Sequence, residues 1–287
     1  MAKSEPKSAV AGKGAKRKPR LGQNFLTDHS AAQRIVDALG DISSRTIIEI
    51  GPGRGMLTDL LVRRARKVIG IELDHILAAQ MRMRYATLQN VDILESDFVT
   101  VEWRSMVGRR HGPLHDLRPT QPETVDVVGN IPYYVTSDIV LRILREHAHI
   151  GRAVIMVQRE VADRIAAEPG SRNYGLLSAT VQLFARAENL FTLPPGAFDP
   201  PPEVHSSVVR LTMAPRAVEL QVDPVAFEEM LKVAFAQKRK TLVNNLKGSY
   251  GAKASAVIKA AGVKPDARAE GLSLEKMAAI FRALQQA

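Results

Sequence analysis

The chain has 287 residues, no cysteine, a formal net charge of +10 and a pI near 9.9, and this length suggests about two domains. The missing cysteines exclude disulfides, thiolate metal sites and any cysteine nucleophile, including the one that carbon-directed pyrimidine methyltransferases need. The basic excess points to a polyanionic partner; a membrane is the weaker choice, because no run approaches the ~18 apolar residues of a spanning helix and no signal-peptide pattern appears.

In chain order, residues 1–19 read as a disordered basic tail. Residues 1–20 hold seven Lys or Arg against Glu5 alone, a net of +6 that leaves +4 for the rest. An RNA-binding arm and a solubilising or processed extension fit this composition equally. Asp28 is placed to cap a helix with Ala32, Ile35, Val36 and Leu39 on its apolar face, stopped by Gly40. Strand–helix alternation begins near residue 46 and predicts a parallel sheet. Strands are expected at 47–50, 67–71, 91–94, 125–129 and 153–157, with Asp74 and Ser137 capping helices. Residues 104–122, rich in Gly and Pro, form a long insertion. Helices at 161–167 and 176–184 precede strands at 187–193 and 205–212, antiparallel to one another.

Beyond residue 213 the pattern is purely helical, which divides the chain into an α/β domain over 20–213 and a small helical domain over 214–287. Asp223-Pro224 starts the first of these helices, with Phe227, Leu231 and Ala234 inward. Lys238-Arg239-Lys240 is expected to open the next, and Ser273 the last. Glu160 and Arg164 are spaced for an ion pair along a helix. The seven histidines form no zinc-binding pattern, so no metal is expected, and His147 and His149 read as solvated.

Chemistry concentrates at the carboxyl ends of the predicted strands, where open α/β sheets bind ligands. Ile47-Ile48-Glu49-Ile50 runs into Gly51-Pro52-Gly53-Arg54-Gly55, a turn whose glycines let a ligand approach the backbone. Glu72 ends the next strand, where an acid commonly grips ribose hydroxyls. The third glycine comes two positions after the second rather than three, which favours a nucleoside without a pyrophosphate, such as S-adenosylmethionine. Asp97 follows the third strand and is placed to meet an adenine edge. Asn130-Ile131-Pro132-Tyr133 follows the fourth. The exocyclic nitrogen of adenine is a poor nucleophile, because its lone pair is spread into the ring. The Asn130 side-chain carbonyl and the Ile131 backbone carbonyl can accept its protons while Tyr133 stacks on the base. A plain turn fits these four residues as well; the strand-end constellation upstream tips the balance.

The chain resembles the KsgA-type small-subunit ribosomal RNA adenine dimethyltransferases from Arg20 to its last helix. The matching segments are Leu21–Leu26, Glu49–Gly53, Ile71–Asp74, Asn130–Tyr133, Met156–Ala162, Tyr174–Ser178, Phe198–Pro202 and Arg239–Leu242. The first and last are the specific ones, because a generic methyltransferase has neither. The resemblance implies a Rossmann-like class I methyltransferase sheet with a small all-helical C-terminal domain. It implies that Asn24 and Leu26 close over S-adenosylmethionine, with Gly51 facing its methionine end, Glu72 its ribose and Asp97 its adenine. Asn130 would border both cofactor and base, and Phe198 would stack the base opposite Tyr133, making Asn130, Pro132, Tyr133 and Phe198 the catalytic set. Tyr134, Ser96 and Val243 depart from the family's usual asparagine, glycine and arginine.

The implied function is dimethylation of N6 on two adjacent adenosines in a hairpin loop near the 3′ end of 16S RNA, by a cytoplasmic monomer that serves small-subunit biogenesis. Three rivals stand beside it: a large-subunit RNA adenine methyltransferase of the antibiotic-resistance type, a DNA adenine methyltransferase, and an assembly factor whose binding outweighs its catalysis.

Overall fold

The computed structural model describes residues 23–102 and 124–286. The basic tail, Leu21, Gly22 and the 104–122 insertion lie outside the described residues. A short strand, β1 (Phe25–Leu26), leads into helix α1 (His29–Asp37), where the Asp28 carboxylate accepts from the Ala31 N–H at 3.0 Å. This satisfies one of the donors that a helix start leaves unpaired.

The strands that follow are β2 (Thr46–Ile50), β3 (Lys67–Glu72), β4 (Val91–Glu95), β5 (Val125–Asn130), β6 (Ile150–Gln158), β7 (Ala185–Leu193), β8 (Phe198–Asp199) and β9 (Ser206–Met213). Seven of them form one sheet in the order β4-β3-β2-β5-β6-β9-β7, while β1 and β8 pair separately. The first five positions are parallel, and β9 runs antiparallel to both β6 and β7. From β2 the chain steps outward to β3 and β4, then returns to β5 on the other side of β2. The crevice at this reversal lies over the carboxyl ends of β2 and β5, where α/β folds take their ligands.

Neighbouring residues of a strand face opposite sides of a sheet. Ile48, Val127 and Val209 accordingly enter one apolar layer, and Ile47, Val128 and Val208 the other. The second layer packs against α1 and the short α2 (Thr58–Leu61). The first continues without a break into Phe227, Leu231, Met277 and Phe281 of the C-terminal helices.

The remaining helices are α3 (His75–Arg84), α4 (Thr136–Arg145), α5 (Arg159–Ile165), α6 (Leu176–Phe184), α7 (Ala217–Leu220), α8 (Pro224–Ala234), α9 (Leu242–Tyr250), α10 (Lys253–Ala260) and α11 (Leu274–Gln286). Asp74 accepts from the Ile76 and Leu77 N–H groups at the start of α3, and Asp223 from Ala226 at 2.8 Å at the start of α8.

Four expectations are corrected. Ser137 does not cap α4: a 3-10 turn (Tyr133–Val135) runs straight into the helix, and the Thr136 hydroxyl bonds back to the Pro132 and Tyr133 carbonyls. Lys238-Arg239-Lys240 lies in the turn before α9, which starts instead at Thr241, whose hydroxyl accepts from the Asn244 N–H. On α5 the ion pair joins Arg159 and Asp163 at 4.0 Å, while Glu160 and Arg164 are both exposed to water that screens them. His147 is half-buried, its ring centroid 5.0 Å from that of Phe184.

Among the described residues, no helix is long and apolar enough to cross a membrane, and no group of three or more His, Asp or Glu is placed to hold a metal ion.

Candidate active site

The carboxyl ends of β2, β3, β4 and β5 surround a cavity of ≈ 190 Å³. Asn24, Gly51, Glu72, Asp97, Asn130, Pro132 and Tyr133 all line it. Leu26 and Phe198 do not: at 6% and 4% exposure they sit in the second apolar layer, facing each other across the β1–β8 pair. The alternation of β1 explains the difference, because Phe25 lines the cavity and its neighbour Leu26 points the other way.

The glycine turn shapes one wall. Gly51 has φ +62°, and a Cβ there would meet nothing within 4 Å, so a side chain would be strained and would stand in space beside the cavity. At Gly53, with φ +57°, a Cβ would lie 3.0 Å from the Phe25 ring. The missing side chain lets that ring rest on the turn. The Arg54 guanidinium covers the same ring at 4.4 Å and donates to Asp199 at 3.1 Å. Turn, β1 and β8 are thereby clasped together.

Glu72 is 2% exposed, and its two carboxylate oxygens accept from the Gly53 N–H at 2.9 Å and the Asp74 N–H at 3.0 Å. Such bonds to a carboxylate are worth ~1.5–3 kcal/mol each. Each oxygen keeps a further lone pair for a ligand hydroxyl. Asp97 is aimed in the same way, one oxygen accepting from the Val99 N–H at 2.8 Å. Ile50, Ile71, Leu73 and Phe98 supply apolar wall between these acids. Flat apolar faces, two carboxylates and a bare glycine turn suit S-adenosylmethionine, a cationic nucleoside with a ribose diol and an adenine amine.

Beneath the turn, Glu49 is 1% exposed. Burial pushes its carboxyl up to about 8, against a 2.7 Å hydrogen bond from the Thr58 hydroxyl that favours the charged form.

The opposite wall is held from a distance. The Asn130 amide NH₂ donates to the Asn24 backbone carbonyl at 2.7 Å. A carbonyl can only accept, so this contact fixes which end of the amide is which and leaves the side-chain carbonyl for a ligand donor. The Tyr133 phenol shares a 2.7 Å hydrogen bond with the Ser206 hydroxyl. Burial raises the Tyr133 pKa and outweighs the lowering by Ser206, so the ring stays neutral. Tyr134 stands at the mouth, 61% exposed.

Nothing local in the sequence marks Phe25 or Ser206 as site residues. Phe25 lies within Leu21–Leu26, but its ring is marked only by the missing Cβ of Gly53. Ser206 has no local signal, since its partner is 73 positions away.

A family model for ribosomal RNA adenine dimethylase matches residues 14–286. The ribosomal RNA small subunit methyltransferase A of Koribacter versatilis is 56% identical over 271 residues, covering 94% of this chain and 95% of that protein. Its counterpart in Acidobacterium capsulatum is 51% identical over 283 residues, covering 98% and 96%. Among solved structures, a dimethyladenosine transferase from Plasmodium falciparum shares the fold with a TM-score of 0.74 at 22% identity, over 91% of this chain and 98% of that one. The 23S rRNA methyltransferase ErmE reaches 0.68 at 27% identity, over 92% and 100%. The sheet is that of a Rossmann-like class I methyltransferase, and the chain belongs to the ribosomal RNA adenine dimethylase family.

Proposed function

We propose that this protein methylates the exocyclic N6 amine of two adjacent adenosines in a hairpin loop near the 3′ end of small-subunit ribosomal RNA, using S-adenosylmethionine. The observation that carries this reading is the Asn130 amide, pinned by Asn24 so that an acceptor is left at the cavity beside Tyr133. The cofactor supplies an electrophilic methyl group. The Asn130 side-chain carbonyl and the Ile131 backbone carbonyl accept hydrogen bonds from the amine N–H groups and draw the nitrogen lone pair out of conjugation. Pro132 sets the chain direction from the Ile131 carbonyl to Tyr133, its φ near −58°.

The target base must leave its stack, at a cost of a few kcal/mol. Stacking on Tyr133, at ~1–3 kcal/mol per base, offsets most of that. Phe198 serves as the second ring in this reading, once it is uncovered from the apolar layer in which it is 4% exposed. No general base is needed before attack, because the amine becomes cationic as the methyl arrives and then loses a proton to water.

The helices after Met213 act as an RNA-gripping domain, with exposed Lys238, Arg239 and Lys240 reaching phosphates, and the protein works as a cytoplasmic monomer in small-subunit assembly. Small-subunit RNA is favoured over large-subunit RNA because the relatives named for the small subunit are 56% and 51% identical, against 27% for ErmE. Isolated small subunits, large-subunit RNA and duplex DNA, each offered with methyl-labelled cofactor, test the choice. Label is expected in the small subunit alone; label in either of the others transfers the protein to that rival.

A further inference from the structure

We propose that Ser206 is a positioning residue for methyl transfer, its hydroxyl holding the Tyr133 ring in the orientation on which the target base stacks. The inference rests on the N6-methylation reading and deepens it. Ser206 is fully buried at the start of β9, and its backbone is paired on both sides, with Gln158 of β6 and with Leu193 of β7. Its backbone is therefore fixed in the middle of three strands. Tyr133 is less constrained: it sits in a 3-10 turn, half-buried, with part of its surface open to the cavity. The turn fixes the backbone, whereas the 2.7 Å bond fixes where the far end of the ring lies. Asn130 is oriented in the same manner by Asn24, so both side chains proposed to meet the target base are set by remote partners. Ser207 cannot substitute. It faces the other side of the strand, where its hydroxyl pairs with that of Thr192 at 2.9 Å.

A positioning hydroxyl acts on turnover and leaves cofactor binding alone. Ser206→Ala, Tyr133→Phe and the double variant are compared with wild type on small subunits with labelled cofactor. Ser206→Ala is expected to lower kcat about 10-fold with the cofactor KM unchanged. Tyr133→Phe should match it, the double variant should be no slower than either, and Ser206→Thr should recover most of the loss. Ser207→Ala removes an equally buried hydroxyl and should spare kcat, which separates positioning from packing. Independently of activity, NMR of ring-labelled tyrosine, with the Tyr133 signal assigned by its loss in Tyr133→Phe, should show that ring titrating at higher pH in Ser206→Ala. Wild-type kcat in Ser206→Ala, additive losses in the double variant, or an equal loss in Ser207→Ala would overturn the proposal. If Ser206→Ala fails to fold, full activity in Tyr133→Phe overturns it just as well. If wild type leaves small-subunit RNA unmethylated, the functional reading falls, and an unmoved Tyr133 titration still decides against Ser206.

Discussion

On the cofactor side of the cavity, the carboxylates are held by backbone N–H groups within 19 positions of them: Glu72 by Asp74 and, from the preceding strand–helix unit, by Gly53, and Asp97 by Val99. On the base side, each side chain is held by a residue far away: Asn130 by Asn24 across 106 positions, Tyr133 by Ser206 across 73. The first kind of contact needs no more than a strand-end turn or the pairing of the neighbouring strands β2 and β3. The second exists only once the N-terminal segment and β9 are both in place. The two cofactor-side carboxylates are therefore set by nearby chain, and the two base-side side chains by the completed fold.

Substitutions on the two sides should then fail differently. The largest effect is expected from Asn130→Ala, which removes the amine's acceptor. Turnover at saturating cofactor should fall about 10²–10³-fold, while small-subunit binding, followed by co-sedimentation, persists. A loss confined to cofactor affinity would erase the distinction between the sides. Tyr133→Ala comes next. Losing a stacking platform worth ~1–3 kcal/mol predicts a fall in turnover of about 5–150-fold with normal cofactor binding. Wild-type turnover in that variant would remove the ring from the mechanism.

Glu72→Gln is the mirror experiment. It keeps the shape but removes a charge that holds the turn and meets a ribose. Calorimetry should show cofactor affinity weakened about 10-fold, with turnover at saturation changed far less. An effect on turnover alone would contradict the local character of that wall.

The smallest effect belongs to Glu49 and concerns stability. Its folded-state pKa is raised to about 8 from an ordinary 4.5. Between those values the unfolded chain has released a proton that the folded protein retains, so stability falls as pH rises through this window. Glu49→Gln removes the slope. Its melting temperature should gain on wild type by a few °C between pH 5 and pH 8. Parallel melting profiles would show that Glu49 carries no such penalty.

The same local-versus-remote division governs how far the sequence could be read. Gly51, Glu72 and Asp97 were legible because strand ends, glycine spacing and the interval to the next acid are all written along the chain. Asp28, Asp74 and Asp223 were legible as caps for the same reason. Asn130 and Tyr133 stood out by type, but their partners did not, because a contact across 73 or 106 positions leaves no periodic trace. Leu26 and Phe198 were expected at the cavity, and the two-residue period of β1 and β8 turns both into the apolar layer. Ser137 has the form of a cap because a serine before an apolar stretch normally signals one. The 3-10 turn at Tyr133–Val135 supplies the helix start instead.

The most direct test is nucleoside mass spectrometry of small-subunit RNA after incubation with methyl-labelled cofactor, with Asn130→Ala run beside wild type. The account predicts N6,N6-dimethyladenosine at two neighbouring positions with wild type and almost none with the variant. Methyl groups on a ring nitrogen, on another base, or at wild-type yield with Asn130→Ala would contradict it.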